Sequence, residues 1–172
     1  MLQKRTVQTS VIAILASALV ALLSACDRRL YYMVFSPDDL YVPIVLAPFD
    51  VANSSSSYTT SFENKYPGFH AIGLIVQKPP PVGEGYKVDF ELEVSVLKGD
   101  KALLSQHLSQ PILPFWSGEI GTSGVGLLTY QVPDDLPEDE NLTLVVKVLK
   151  SGTEFVNLYG KTQLFVKKFS DE

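Results

Sequence analysis

"YKVDFELEVSVLKGDKALLSQ", Tyr86 to Gln106, is the stretch that decides the fold class. Val88, Phe90, Leu92, Val94 and Val96 alternate with Asp89, Glu91, Glu93 and Ser95. A strict period of two places apolar groups on one face of a strand and polar groups on the other, whereas a helix would scatter them around its circumference. Lys98-Gly99-Asp100-Lys101 reads as a turn, so Ala102 to Gln106 is expected to return as the hairpin partner.

Working outward, other segments carry the same signature. "PIVLAPFDV" (Pro43–Val51) reads as extended, and Pro48 places it at a sheet edge or bulge. "YTTSFE" (Tyr58–Glu63) and "GFHAIGLIVQ" (Gly68–Gln77) are rich in β-branched and aromatic residues, and the Pro79-Pro80-Pro81 run ends that region. Beyond the Pro/Gly-rich stretch Pro111–Gly126 come "VGLLTYQV" and "LTLVVKVL", joined by "PDDLPEDEN". "TEFVNLYG" and "TQLFVKKF" are read as the last strands. About eight or nine strands, with turn signals every 8 to 15 residues or so, predict a mainly β, antiparallel two-sheet sandwich. The order Tyr130-x-Val132-Pro133-x-Asp135-Leu136-Pro137, followed by acids and an alternating strand, resembles bacterial Ig-like sandwiches. The likeness covers Leu128–Leu149 and implies an Ig-like fold, not a function.

The N-terminus reads as an address. Met1–Arg5 is short and basic, Val11–Leu23 is apolar except for Ser17, and Ser24-Ala25-Cys26 closes the run with small residues. That order is the layout of a secretory signal, expected to be helical. Leu23-Ser24-Ala25-Cys26 resembles the lipobox of bacterial lipoprotein precursors. The resemblance implies diacylglycerol on the Cys26 thiol, a further acyl chain such as palmitate on its amino group in many bacteria, and cleavage just before Cys26. Each buried CH₂ contributes about 0.8 kcal/mol, and a second acyl chain makes attachment lasting. Arg28 and Arg29 would then lie beside anionic headgroups, adding roughly 1 kcal/mol each. Asp27 resembles an enterobacterial signal for inner-membrane retention. The periplasmic face of the inner membrane is accordingly the expected location, with the outer membrane as alternative. A retained transmembrane helix competes with this reading, because Thr6–Cys26 is uncharged. Thr6, Gln8, Thr9 and Ser10 shorten its apolar core below the length of a span. The expected organisation is a signal peptide over 1–25, a lipidated tether over 26–42 containing a possible edge strand, and a sandwich over 43–172.

Lys4 and Arg5 are the only charges before Cys26, so the rest of the chain holds 12 of the 14 Lys and Arg against all 19 Asp and Glu, a net charge of −7. Such a body repels phosphate backbones, and no nucleic-acid partner is expected. Cys26 is the only cysteine, so no disulfide or cysteine-ligated metal is available within the chain.

Few residues point to chemistry. His70 shares strand parity with Ile72, Leu74 and Val76 and is expected at the core or its rim, while His107 is expected to be exposed; two isolated histidines give no zinc spacing. "GEIGTSGVG" (Gly118–Gly126) lacks the Lys-Ser/Thr and the helix of a phosphate-binding loop. Phe115, Trp116 and Ser117 precede it as a candidate partner contact, against the alternative that Trp116 plugs the core. Asp134, Asp135, Glu138, Asp139 and Glu140 are candidate Ca²⁺ ligands, against the plainer reading of a solvated acidic loop. Asn141-Leu142-Thr143 matches a glycosylation sequon, which is moot if the lipobox sets the host as bacterial. Neither Gly-x-Ser-x-Gly nor His-Glu-x-x-His occurs in the body, no catalytic residue is assigned, and an envelope hydrolase is the least favoured reading. The expected function is a non-enzymatic binding or accessory lipoprotein of the cell envelope, part of an envelope complex or an immunity-type factor, with a periplasmic protein partner. A small-ligand or Ca²⁺ sensor is the alternative.

Overall fold

The computed structural model describes residues 37–117, 122–133, 136–137 and 139–169; the side chains of 113–117 are outside that description. Contacts divide the chain into two units, Met1–Asp38 and Asp39–Glu172. The second unit contains β1 (Val45–Pro48), β2 (Ser57–Glu63), β3 (Gly68–Val76), β4 (Glu91–Lys98), β5 (Lys101–Leu108), β6 (Leu113–Ser117), β7 (Ser123–Val132), β8 (Asn141–Lys150), α1 (Thr153–Tyr159) and β9 (Thr162–Lys168). The strands form two antiparallel sheets, ordered β1-β9-β3-β7-β6 and β2-β8-β4-β5. Among the described residues no helix is long and apolar enough to cross a membrane.

The alternation in β4 is realised as expected. Leu92, Val94 and Val96 are fully buried, while Glu91, Glu93 and Ser95 stay half-exposed on the outer face. Opposite them across the sandwich stand Ile72 and Leu74 of β3, Val125 of β7, and Leu164 and Val166 of β9, all in one apolar core. Each fully buried aliphatic side chain of this kind contributes about 1.5–3 kcal/mol. A bulge sharpens the fit: Ile72 pairs with Leu128 and Gly73 with Gly126, so Leu127 is the extra residue in β7 and both leucines join the core.

The pairings nest. β4 pairs with β5, β3 with β7, β2 with β8 and β1 with β9, every pair antiparallel. The chain therefore wraps as one long double-stranded ribbon whose tip is the Lys98–Lys101 turn, where Gly99 takes φ 54°. Pairs alternate between the sheets, which is the jelly-roll way of building a sandwich. This corrects the Ig-like expectation drawn from Leu128–Leu149. An immunoglobulin order keeps the first strand beside its neighbours in sequence, whereas here β1 is hydrogen-bonded to β9.

Two segments depart from their expected elements. "TEFVNLY" is a helix and not a strand. Phe155 and Tyr159, four residues apart, are buried on one face, where Phe155 packs edge-on against Phe90, with ring centroids 5.0 Å apart. Asp89 caps this helix from outside it, accepting the amides of Glu154 and Phe155 at 3.1 Å each, and Gly160 ends it at φ 83°. The second departure is β6, a strand inside the stretch expected to be irregular, paired with β7 at Trp116–Gly124 and Ser117–Ser123.

Candidate functional site

Only some of the residues singled out from sequence fall within the described residues. Cys26, Asp27, Arg28 and Arg29 lie outside the described residues, as do Asp134, Asp135 and Glu138. Phe115, Trp116 and Ser117 are backbone members of edge strand β6. Glu140 is ion-paired with Lys98 at 2.9 Å, and Asp139 sits at φ 69° with its amide given to the Asn64 carbonyl. Among the described residues no group of three metal-ligating side chains converges.

His70 is 1% exposed, inside the sandwich. Its Nδ1 lies 3.2 Å from the Gly68 carbonyl and its ring stacks on Tyr130 at 5.5 Å. Burial pushes the Tyr130 phenol above its usual range. His107 is on the surface, its Nε2 3.0 Å from Glu91. Ser95-Val96-Leu97-Lys98 matches a Ser-x-x-Lys pattern that sequence reading passed over. The strand gives its members other partners: Ser95 bonds Ser105 at 3.2 Å and Lys98 bonds Glu140. No nucleophile–base pair is assembled there.

The feature that sequence reading missed is a groove of about 370 Å³ lined by Asp39, Val42, Pro43, Ile44, Ser61, Phe62, Glu63, Lys65 and Tyr66. Its two walls are the segment leading into β1 and the outer edge of β2, thus residues more than fifteen positions apart that meet only because β1 and β2 are the edges of the two sheets on one side of the sandwich. The Asp39 carboxylate accepts from both the Lys65 ammonium and the Tyr66 hydroxyl. Those bonds hold the Asp39 carboxyl below its usual range, Lys65 first and Tyr66 second. Lys65 also stands 5.7 Å from the centre of the Tyr66 ring.

Along the groove the backbone of β2 is open. Val148 donates to Ser56 and Asn64 to Glu140, which fixes the even-numbered residues as those bonded to β8. By the alternation of an antiparallel ladder, the amides and carbonyls of Ser57, Thr59, Ser61 and Glu63 point away from the sheet. The acidic loop is tied to the end of this edge. Asn64 and the loop exchange two backbone bonds, Asn64 to Glu140 at 2.8 Å and Asp139 to Asn64 at 3.0 Å, and the Asn64 amide reaches the Pro137 carbonyl at 3.3 Å. The arrangement offers directional backbone hydrogen bonds, an apolar trough and a negative rim. It is suited to gripping a chain, not to activating a nucleophile.

No family model matches the chain, and no curated protein matches it. Among solved structures it is similar to a protein from Sulfurospirillum deleyianum at TM-score 0.48 and 7% identity, over 74% of this chain and 98% of that one. It is also similar to a carbohydrate-binding module, CBM27-1 of Caldicellulosiruptor saccharolyticus in complex with mannohexaose, at TM-score 0.37 and 15% identity over 73% of each chain. A third is a family GH115 4-O-methyl-α-glucuronidase, at TM-score 0.35 and 13% identity over 68% of this chain and 14% of that one.

Proposed function

We propose that this chain is an exported lipoprotein, anchored by lipid on Cys26, whose sandwich binds a protein partner in the cell envelope without itself catalysing a reaction. The observation that carries the reading is Leu23-Ser24-Ala25-Cys26 behind a basic start and a short apolar run, with the only thiol of the chain at its end. Residues 1–25 act as the cleaved signal peptide, and the tether presents the body on the periplasmic face of the inner membrane. The open β2 edge and its groove support the binding half of the proposal, since they supply recognition chemistry on a rigid frame. The partner is expected to be basic, because the exported part carries a net charge of −7 and complementary potentials speed encounter.

Metabolic labelling with palmitate tests the anchor. Label is expected on the wild-type protein and lost in Cys26→Ala; a mature chain that keeps Met1 and an unmodified Cys26 overturns the proposal. Affinity capture from detergent extracts tests the partner. One protein is expected to co-purify at low salt and to weaken at high salt, because screening shortens the reach of surface charge. Capture of nothing at either salt removes the binding half.

A further inference from the structure

We infer that the free edge of β2 receives an extended segment of the partner, alternating aliphatic and basic in sequence, with an aliphatic side chain in the groove beside Val42 and Ile44 and a Lys or Arg against Glu63. The inference rests on the partner-binding reading above and names the place and chemistry of binding.

Edge strands invite pairing unless something blocks them. Three of the four edges here are blocked. β1 is four residues long and ends in Pro48. β6 contains Pro114 and pairs irregularly with β7. β5 opens with Lys101 and is bulged, since Val96 pairs with Leu104 and Leu97 with Ala102, leaving Leu103 as the extra residue. β2, "SYTTSFE", has seven residues in unbroken register with β8, no proline and no lysine. Its outward carbonyls and amides at Ser57, Thr59, Ser61 and Glu63 repeat every second residue, the spacing an incoming strand presents. Among the described residues only one of these is drawn on locally, the Ser61 carbonyl, by the Thr60 hydroxyl at 3.3 Å.

The faces specify the occupant. On the inner side of β2, Tyr58 and Phe62 pack on the core, so the incoming strand must bring apolar groups there to continue the layer. On the outer side the neighbours are Ser57, Thr59, Ser61 and Glu63, and the backbone bond from Asp139 to Asn64 brings a second acid to the end of the strand. The nearby lysines are already engaged, Lys65 by Asp39, Lys98 by Glu140 and Lys147, opposite Ser57, by Glu93. Among the described residues no cation is paired with Glu63. Basic side chains at alternate positions complement that rim, and acidic ones are repelled.

The test uses the full chain in detergent micelles and two labelled peptides of strand length, one alternating Val and Lys, the other Val and Glu, read by fluorescence anisotropy. The Val-Lys peptide is expected to bind and the Val-Glu peptide not. Thr59→Pro removes one outward amide and no bond to β8, so it is expected to melt with the wild type and to bind about tenfold or more weakly. Ser61→Pro serves the same purpose should Thr59→Pro not fold, and Thr59→Val, which keeps the amide, is expected to bind normally. Glu63→Lys is expected to weaken the Val-Lys peptide. Equal binding by the proline variants, indifference to peptide charge, or no binding by wild type each overturns the inference. So does a wild-type dimer that Thr59→Pro converts to monomer, for then the edge belongs to a second copy. Capture of one partner by wild type and Thr59→Pro alike overturns the edge while leaving the binding function standing. Capture by neither removes both.

Discussion

Asp89 Oδ1 accepts the backbone amide of Phe155 at 3.1 Å, joining the residues just before β4 to the first turn of α1 across 66 positions of sequence. Its other oxygen takes the amide of Glu154 at 3.1 Å, so one carboxylate satisfies two donors that the helix leaves unpaired. No capping side chain sits at Gly152, the position before the helix. Asp89→Ala is therefore expected to lower unfolding stability by about 1–2 kcal/mol, the usual cost of a lost cap. Urea denaturation followed by tryptophan fluorescence checks it, and Asp89→Asn, which keeps an acceptor, should lose less.

The ring of Phe165 lies over Gly73, its partner in the β3–β9 register. A Cβ at Gly73 would fall 2.5 Å from Phe165 Cζ and 2.5 Å from the Val125 carbonyl oxygen. Gly73→Ala is expected to destabilise by about 1–3 kcal/mol through overpacking. The cost should shrink in a Phe165→Ala background, where one of the two collisions is removed and only the Val125 carbonyl remains. A double-mutant cycle measures that coupling. Strict additivity would mean that the ring does not occupy this position.

The Asp39 carboxyl is held below its ordinary value of 3.8 by its bonds from Lys65 and Tyr66. A carboxyl whose folded value is depressed binds its proton more readily in the unfolded chain, so it adds stability above the unfolded value and loses that contribution as pH falls through the folded one. Wild type is thus expected to exceed Asp39→Asn in stability at pH 6 by a margin that narrows as pH drops below 3.8. Parallel thermal melts from pH 6 down to about 2.5 read the margin. A margin that widens toward acid would reverse the assignment.

What sequence patterning could reveal depended on locality. β4 was legible because one of its faces is wet, which writes the period of two directly into Glu91–Val96, although the same pattern runs on through Val88 and Phe90, which lie before the strand. Helix α1 was not, because seven residues hold a single i, i+4 buried pair, Phe155 and Tyr159, in a segment otherwise rich in strand-forming residues, and its cap, Asp89, is distant in sequence. Gly152 and Gly160 on either side were the available signal, the second being a common helix-ending residue. Strand order was hidden for the same reason, since β1 finds β9 across the whole body and no local preference encodes such a pairing. The acids of the 134–140 loop were visible as a cluster, but the tie of Asp139 and Glu140 to Asn64 was not, and the groove beside β2 exists only once residues 39–44 and 61–66 meet.

The status of β2 as an open edge makes a prediction that needs no ligand. Tyr58, Thr60 and Phe62 have their amides in the ladder with β8, while those of Ser57, Thr59, Ser61 and Glu63 face outward. Hydrogen exchange resolved by residue should therefore alternate along the strand, with the odd-numbered amides at least about tenfold faster than the even-numbered ones, because only the latter require local opening before they exchange. In β3, flanked by β9 and β7, amides of both parities are bonded and no alternation is expected. Uniform protection along β2 would mean that its outer edge is already occupied, and the pairing surface would then have to be sought elsewhere on the sandwich. Alternation that disappears when the Val-Lys peptide is added would locate the bound strand at these four amides, since a new ladder protects the odd set and leaves the even set unchanged.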